Sequence, residues 1–472
     1  MYRTERAHEL TLNGIKLNYK TVCKDNPVKN KNGDVIGTVF SFEYIRTELN
    51  DTEIVKRPVL FAYNGGPGSS SLWLHLGLLA PKRVQCREVK EMTASGNYKL
   101  EDNPLCLLDI CDIVVLDPIA TGYGQLLYYE AKEEVFGFEQ DAAAIASVIE
   151  HWVIENKRYD SKKYLLGESY GTNRNTAVAN ILMGGCTDYG CVSRGITIDG
   201  MINLGSDISI ERFHEQECDK DFTENLKLLP SYAATTAYYQ TGSEENFQET
   251  LEHAFSFCAD TYVRALFLGQ LLSRTEQESV AKQLAQLTGL DDQKLRAAGL
   301  RVSLTEYLNQ YKDRKGLSVS PYDTRFSAIN SPFIETKCCV ADDEMMGRCM
   351  PAFLSAFHAL EKELLGIDLE REYKVINFSV NESWTMEGNY TPFQHLQRTL
   401  LRNKNFRVFF GTGAYDLVTP CGNVRFTASR LSAEKGQIII KEYPSGHMSY
   451  VGDESAVQLA EDIRKFVRGE TC

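Results

Sequence analysis

Through the first half of the chain, short apolar runs alternate with stretches whose apolar residues recur at helical spacing. The runs VLFAY (59–63), DIVVLD (112–117), KYLLG (163–167) and GMINLG (200–205) read as buried strands. Between the second and third lies FEQDAAAIASVIEHWVIENKR, where Ala142, Ile145, Val148, Ile149 and Trp152 share one helical face. NRNTAVANILM, from Asn173, reads as the next helix. Strands alternating with helices predict a mainly parallel sheet covered on both faces.

The rhythm then changes. From about 211 to about 385, charged helical stretches such as SVAKQLAQLTG and AFLSAFHALEKELLG dominate, without sustained strand alternation. It returns with FRVFFGTG (406–413), QIIIKEY (437–443) and a closing helix. There Asp453 is expected to cap the start, and Leu459, Ile463 and Phe466 to form the apolar stripe. The expected architecture is an α/β core in two parts, 1–210 and 386–472, interrupted by a mostly helical cap insertion, 211–385. No internal repeat and no low-complexity linker interrupts it.

Composition narrows the partners. Of 472 residues, 43% are hydrophobic and 24% charged, the balance of a globular protein. A net charge of −13, spread along the chain, argues against nucleic acid or an anionic membrane surface as main partner. No apolar run is long enough to span a bilayer. The start, MYRTERAHELTLNG, lacks the layout of a signal peptide, so the expectation is a cytoplasmic protein, or a secreted or periplasmic one if a leader was trimmed.

The 13 cysteines are an odd number scattered through a large chain, which reads as reduced thiols rather than a disulfide scaffold. Cys338, Cys339 and Cys349 cluster without a CxxC pair or a neighbouring histidine, so no metal site is expected. No cofactor is expected either. The sequons at Asn377 and Asn389 are what chance supplies.

The chemistry gathers at strand ends. KYLLGESYGTNRNTAVANIL places Gly-Glu-Ser-Tyr-Gly between a strand and a helix, the G-x-S-x-G elbow that pushes a serine hydroxyl, here Ser169, out of a tight turn. The helix N-terminus beneath it favours developing negative charge. A serine needs a base, and the base an orienting acid. FRVFFGTGAYDLVTP puts Asp416 just beyond a strand, and IIIKEYPSGHMSYVGD puts His447 just beyond the next. Of the eight histidines, His447 alone has both the order and the loop position such a base requires. GTGAYD lacks the third glycine of a dinucleotide loop and lies too late in the chain for one.

Four segments now resemble a known family: YNGGPGSSSLWLHLGLLAPKRV, LLGESYGTNR, GAYDLVTP and YPSGHMSYV. They are similar to the serine carboxypeptidases, the S10 peptidases, especially bacterial members, with weaker echoes at DNPLCLLDICDIVVLDPIATGYG and LPSYAATTAYY. The resemblance implies an α/β-hydrolase fold and an enzyme that releases C-terminal amino acids from peptides through an acyl-enzyme. It implies Ser169 as nucleophile, His447 as base then acid, and Asp416 as orienting carboxylate. The amides of Gly66 and Tyr170 would form the oxyanion hole. Asn64 and Glu168, with Gly65 in the same loop, would bind the terminal carboxylate of the peptide substrate.

The chain departs from the family's pattern at several positions. Ser69 stands where many members carry a cysteine, and Leu78 where eukaryotic members carry a second glutamate that pairs with the elbow glutamate. Ala120 and Gly124 replace the usual glycine and serine, and Thr172 stands where a second glycine is common. Two other readings stay open on sequence alone. The same triad serves an acyltransferase or esterase, and the fold alone could serve a non-catalytic binding protein.

Overall fold

The computed structural model describes residues 1–85, 99–185, 194–209, 217–331, 333, 340–385 and 391–470. Cys338, Cys339 and Asn389 lie outside the described residues. Among the described residues, nine strands form the path of the main sheet: β1 (Arg3–Leu12), β2 (Ile15–Lys29), β3 (Val35–Arg46), β4 (Val59–Tyr63), β5 (Asp112–Asp117), β6 (Lys163–Glu168), β7 (Gly200–Leu204), β8 (Arg407–Gly413) and β9 (Ile438–Tyr443). Their order across the sheet is β1-β2-β3-β5-β4-β6-β7-β8-β9, and the short strand Gln125–Leu126 adds to β3. β1, β2, β3 and β5 pair antiparallel, whereas β5, β4, β6, β7, β8 and β9 run parallel.

The apolar runs are continuous in the inner parallel strands because each has two buried faces, whereas β9 at the sheet edge is half-buried along most of its length. Along β4, Leu60 and Ala62 join one hydrophobic cluster while Val59, Phe61 and Tyr63 join the other. The second cluster is closed by α1 (Phe138–Glu155), through Ala142, Ile145, Val148, Ile149 and Trp152, and by α2 (Tyr170–Leu182). The first is closed by the C-terminal helix, Asp453–Arg468, through Leu459, Ile463 and Phe466. That helix departs from expectation at its start. Gly452, not Asp453, holds the N-cap position. Asp453 lies in the first turn, where a carboxylate still favours the helix dipole, and it pairs with Arg83 at 3.1 Å.

The helix-rich stretch between β7 and β8 packs in two ways. Helices from Glu217–Thr241 to Leu304–Lys315 close on each other around Leu228, Tyr232, Leu284 and Tyr307. The later helix Met346–Leu360 buries Phe353 and Phe357 in the first cluster of the sheet, together with Ile367, Tyr373 and Val375. This later part therefore lies against the core that carries the strand ends.

Candidate active site

Register brings the chemistry together. Tyr63 pairs with Gly167 and Leu204 with Glu168, so the residues that follow these strands emerge side by side at one sheet edge. Such C-terminal strand ends are where open parallel sheets gather ligand sites.

Ser169 sits between β6 and α2 with φ 58° and ψ −130°, a conformation a side-chain-bearing residue rarely takes. The turn is held by its N–H on Leu204 O (3.0 Å) and by the Thr172 amide and hydroxyl on its own carbonyl (2.9 and 2.7 Å). A side chain at Gly167 would put Cβ 2.2 Å from Gly171 O, so this motif glycine supplies the space in which helix and strand meet. Tyr170 provides the first amide of α2; its ring is buried, edge-on to Trp384 at 5.2 Å.

His447 follows β9 and is anchored by its N–H on Tyr322 O at 2.7 Å. Its Nδ1 lies 2.8 Å from Asp416 Oδ2. Asp416 accepts from its surroundings on both oxygens. The amides of Val418 and Thr419 donate to Oδ1 at 2.8 and 2.9 Å, while the Thr419 hydroxyl donates to Oδ2. A carboxylate so placed accepts a hydrogen bond from Nδ1–H and leaves the lone pair of the neutral ring on Nε2, the form a general base needs. Burial by itself lowers the pKa of His447, but the charge and hydrogen bond of Asp416, with the carboxylates of Glu168 and Asp207, outweigh it and leave it raised.

The glycine loop leans on the elbow. A Cβ on Gly65 would sit 2.5 Å from the Tyr170 amide nitrogen, and Gly66 has φ +108°, with a Cβ position 2.6 Å from the amides of Gly68 and Ser69. Neither position tolerates a side chain. Asn64 is fixed at every polar group. Its N–H donates to Ser71 Oγ (3.1 Å), Oδ1 accepts from Leu74 N–H (3.0 Å), and its carbonyl accepts from Arg174 (2.6 Å). Its Nδ2 donates to Glu168 Oε1 at 2.7 Å.

Glu168 is 3% exposed, and burial pushes its pKa up to about 7; the His447 charge and the hydrogen bonds of Tyr450 and Asn64 pull the other way, and Asp416 adds to the rise. Asn64, Gly65, Gly66, Glu168, Ser169 and His447 all line one cavity of about 240 Å³. Tyr322, Val340, Met346, Ile376, Phe378 and Asn381 from the stretch between β7 and β8 also line it, as does Trp73.

The structure thus gathers the residues singled out from sequence, and adds two with no role in that reading. Thr419 bridges Asp416 and His447 Nδ1 (3.0 Å to the latter), and the Tyr450 hydroxyl donates to Glu168 Oε1 at 3.1 Å. Both lie within the matched segments GAYDLVTP and YPSGHMSYV, but nothing in their spacing marks them. Of the two departures in the glycine loop, Ser69 Oγ accepts from Trp73 Nε1 (3.1 Å), and Leu78 is wholly buried in the first apolar cluster. Cys23, Cys106, Cys111, Cys258 and Cys421 are buried free thiols, and Cys349 is buried as well. Among the described residues, no group of acidic, histidine or cysteine side chains is arranged to hold a metal, and no helix is long and apolar enough to cross a membrane.

A family model described as serine carboxypeptidase, peptidase S10, matches residues 41–439. Among solved structures, the chain is similar to a prohormone-processing carboxypeptidase from Saccharomyces cerevisiae, at 15% identity and a TM-score of 0.54, over 96% of this chain and 91% of that one. It also aligns with a carboxyl esterase from Bacillus coagulans, at 12% identity and a TM-score of 0.40, over 95% of this chain and 98% of that one. A proline iminopeptidase from Mycobacterium smegmatis aligns at 9% identity and a TM-score of 0.36, over 94% of this chain and 98% of that one. A comparison with curated protein sequences found no match. The fold is that of the α/β hydrolases, with a large, mostly parallel sheet between layers of helices.

Proposed function

The chain belongs to the serine carboxypeptidase family, and from that premise we propose that it removes single residues from the free C-terminus of peptides through an acyl-enzyme at Ser169. The observation that carries this reading is the pairing of two devices on one cavity: a serine and a carboxylate-held histidine that both line it, and a buried Asn64–Glu168 pair in the same lining.

In the proposed reaction, His447 Nε2 takes the Ser169 hydroxyl proton as Oγ attacks the scissile carbonyl. The negative charge that develops on the carbonyl oxygen is stabilised by the amides of Gly66 and Tyr170, each worth roughly 3–4 kcal/mol in comparable sites. The imidazolium, steadied by Asp416, then gives its proton to the leaving amine as the C–N bond breaks. Water, deprotonated by the same ring, attacks the acyl-enzyme and releases the shortened peptide.

The leaving residue carries a carboxylate, and Asn64 and Glu168 are assigned to it. An ionised Glu168 would repel that anion, whereas a protonated one donates a hydrogen bond to it. A site of this kind rejects internal peptide bonds, which have no charge to offer. Incubation with N-blocked dipeptides, followed by amino-acid analysis, tests the reading. Wild type should release the free C-terminal residue, and Ser169→Ala should lower the rate by about 10⁴-fold or more. No release by wild type between about pH 5 and 8, or full activity in Ser169→Ala, overturns it.

A further inference from the structure

Glu168 is gripped by one oxygen only. Oε1 accepts from Asn64 Nδ2 at 2.7 Å and from the Tyr450 hydroxyl at 3.1 Å, whereas Oε2 is buried without a hydrogen-bond partner on a side chain that lines the cavity. Two donors aimed at Oε1 leave no place for a proton there. A neutral Glu168 therefore carries its proton on Oε2.

The fold makes room for this tyrosine. Tyr450 lies three residues beyond His447 in the same loop and is 1% exposed. Its ring fills the space over Gly77, where a Cβ would come within 2.3 and 2.4 Å of two ring carbons. The next residue, Leu78, is buried and apolar, so that position brings no second carboxyl to Glu168.

We infer that Tyr450 is a positioning residue for terminal-carboxylate recognition: with Asn64 it fixes Oε1 of Glu168 and so directs the proton on Oε2 at the substrate. The inference rests on the carboxypeptidase reading of the site. The other charged groups that act on Glu168 are His447, from the loop after β9, and Asp416, from the loop after β8; the Cys349 thiol approaches Tyr450 from the helix Met346–Leu360. Each donor on Oε1 favours the ionised carboxylate. Losing one raises the pH at which Glu168 ionises, and lets the proton occupy either oxygen.

Tyr450→Phe keeps the ring over Gly77 and removes only the hydroxyl. The probes are an N-blocked dipeptide with a free C-terminal carboxylate and the same compound as its C-terminal amide. In Tyr450→Phe, kcat/KM for the free acid should fall about tenfold more than for the amide at about pH 6, and the pH at which the preference for the free acid disappears should move up. A preference and pH profile equal to those of wild type overturn the inference and leave the carboxypeptidase reading intact. Wild type that does not prefer the free acid overturns that reading, and the inference with it. Should Tyr450→Phe fail to fold, Gly77→Ala, which drives a methyl into the place of the ring, is expected to give the same selective loss; an unchanged preference there also overturns the inference.

Discussion

Asp416 and Glu168 are both buried carboxylates at the same cavity, yet their surroundings differ. Asp416 receives two backbone amides on one oxygen, and a threonine hydroxyl and the histidine ring on the other. Glu168 receives two donors on one oxygen and none on the other. The first is complete before any substrate arrives, which suits the proposed task of holding a base in one tautomer. The second is left one bond short, on a side chain that lines the cavity. A preorganised group serves the reaction step; an unfinished one discriminates among ligands, because only a ligand with the matching group completes it.

The largest effect is expected on the Asp416 side. Asp416→Asn keeps an acceptor for the Val418 and Thr419 amides but presents N–H groups to His447, which selects the wrong tautomer. Steady-state cleavage of an N-blocked dipeptide should fall by about 10⁴-fold, with the fold preserved by circular dichroism. A fall of less than about tenfold would mean that Asp416 does not orient the base.

On the Glu168 side the larger effect is on stability. Its folded pKa of about 7 lies above the ordinary 4.5, so the unfolded chain releases this proton first. The stability it supplies is full below pH 4.5 and is lost as pH rises through about 7. Glu168→Gln has no proton to lose and keeps an acceptor for Asn64 and Tyr450. Thermal unfolding should show it more stable than wild type at about pH 8, by on the order of 3 kcal/mol, and without that advantage at about pH 4. Equal stability at both would show that Glu168 ionises normally in the fold.

What sequence could reveal of this molecule follows from how local each signal is. The parallel strands were legible because burial on both faces leaves runs such as VLFAY and DIVVLD with almost no polar interruption. The first three strands carry no such mark. β1 reads RTERAHELTL and alternates exposed charges with half-buried residues at the sheet edge, so its pattern is that of a polar segment until β2 pairs with it. The triad candidates were legible because each follows a strand and one sits in a G-x-S-x-G turn. Tyr450 was not, because its partner Glu168 is 282 residues away and the gap that admits its ring is made by Gly77. The helical stretch between β7 and β8 reads evenly in sequence, since spacing marks an apolar face without marking what covers it. Phe353 turns to the sheet's core and Leu284 to its own neighbours.

The proposed contact between Glu168 and the substrate's terminal carboxylate is isolated by one ratio. Wild-type kcat/KM for an N-blocked dipeptide, divided by that for its C-terminal amide, should be measured from about pH 5 to 9. Titration of His447 affects numerator and denominator alike and cancels. The expected ratio is well above one at low pH and falls as pH rises through about 7, where Glu168 ionises. A ratio that stays flat across that range, or that rises with pH, would contradict the proposed contact.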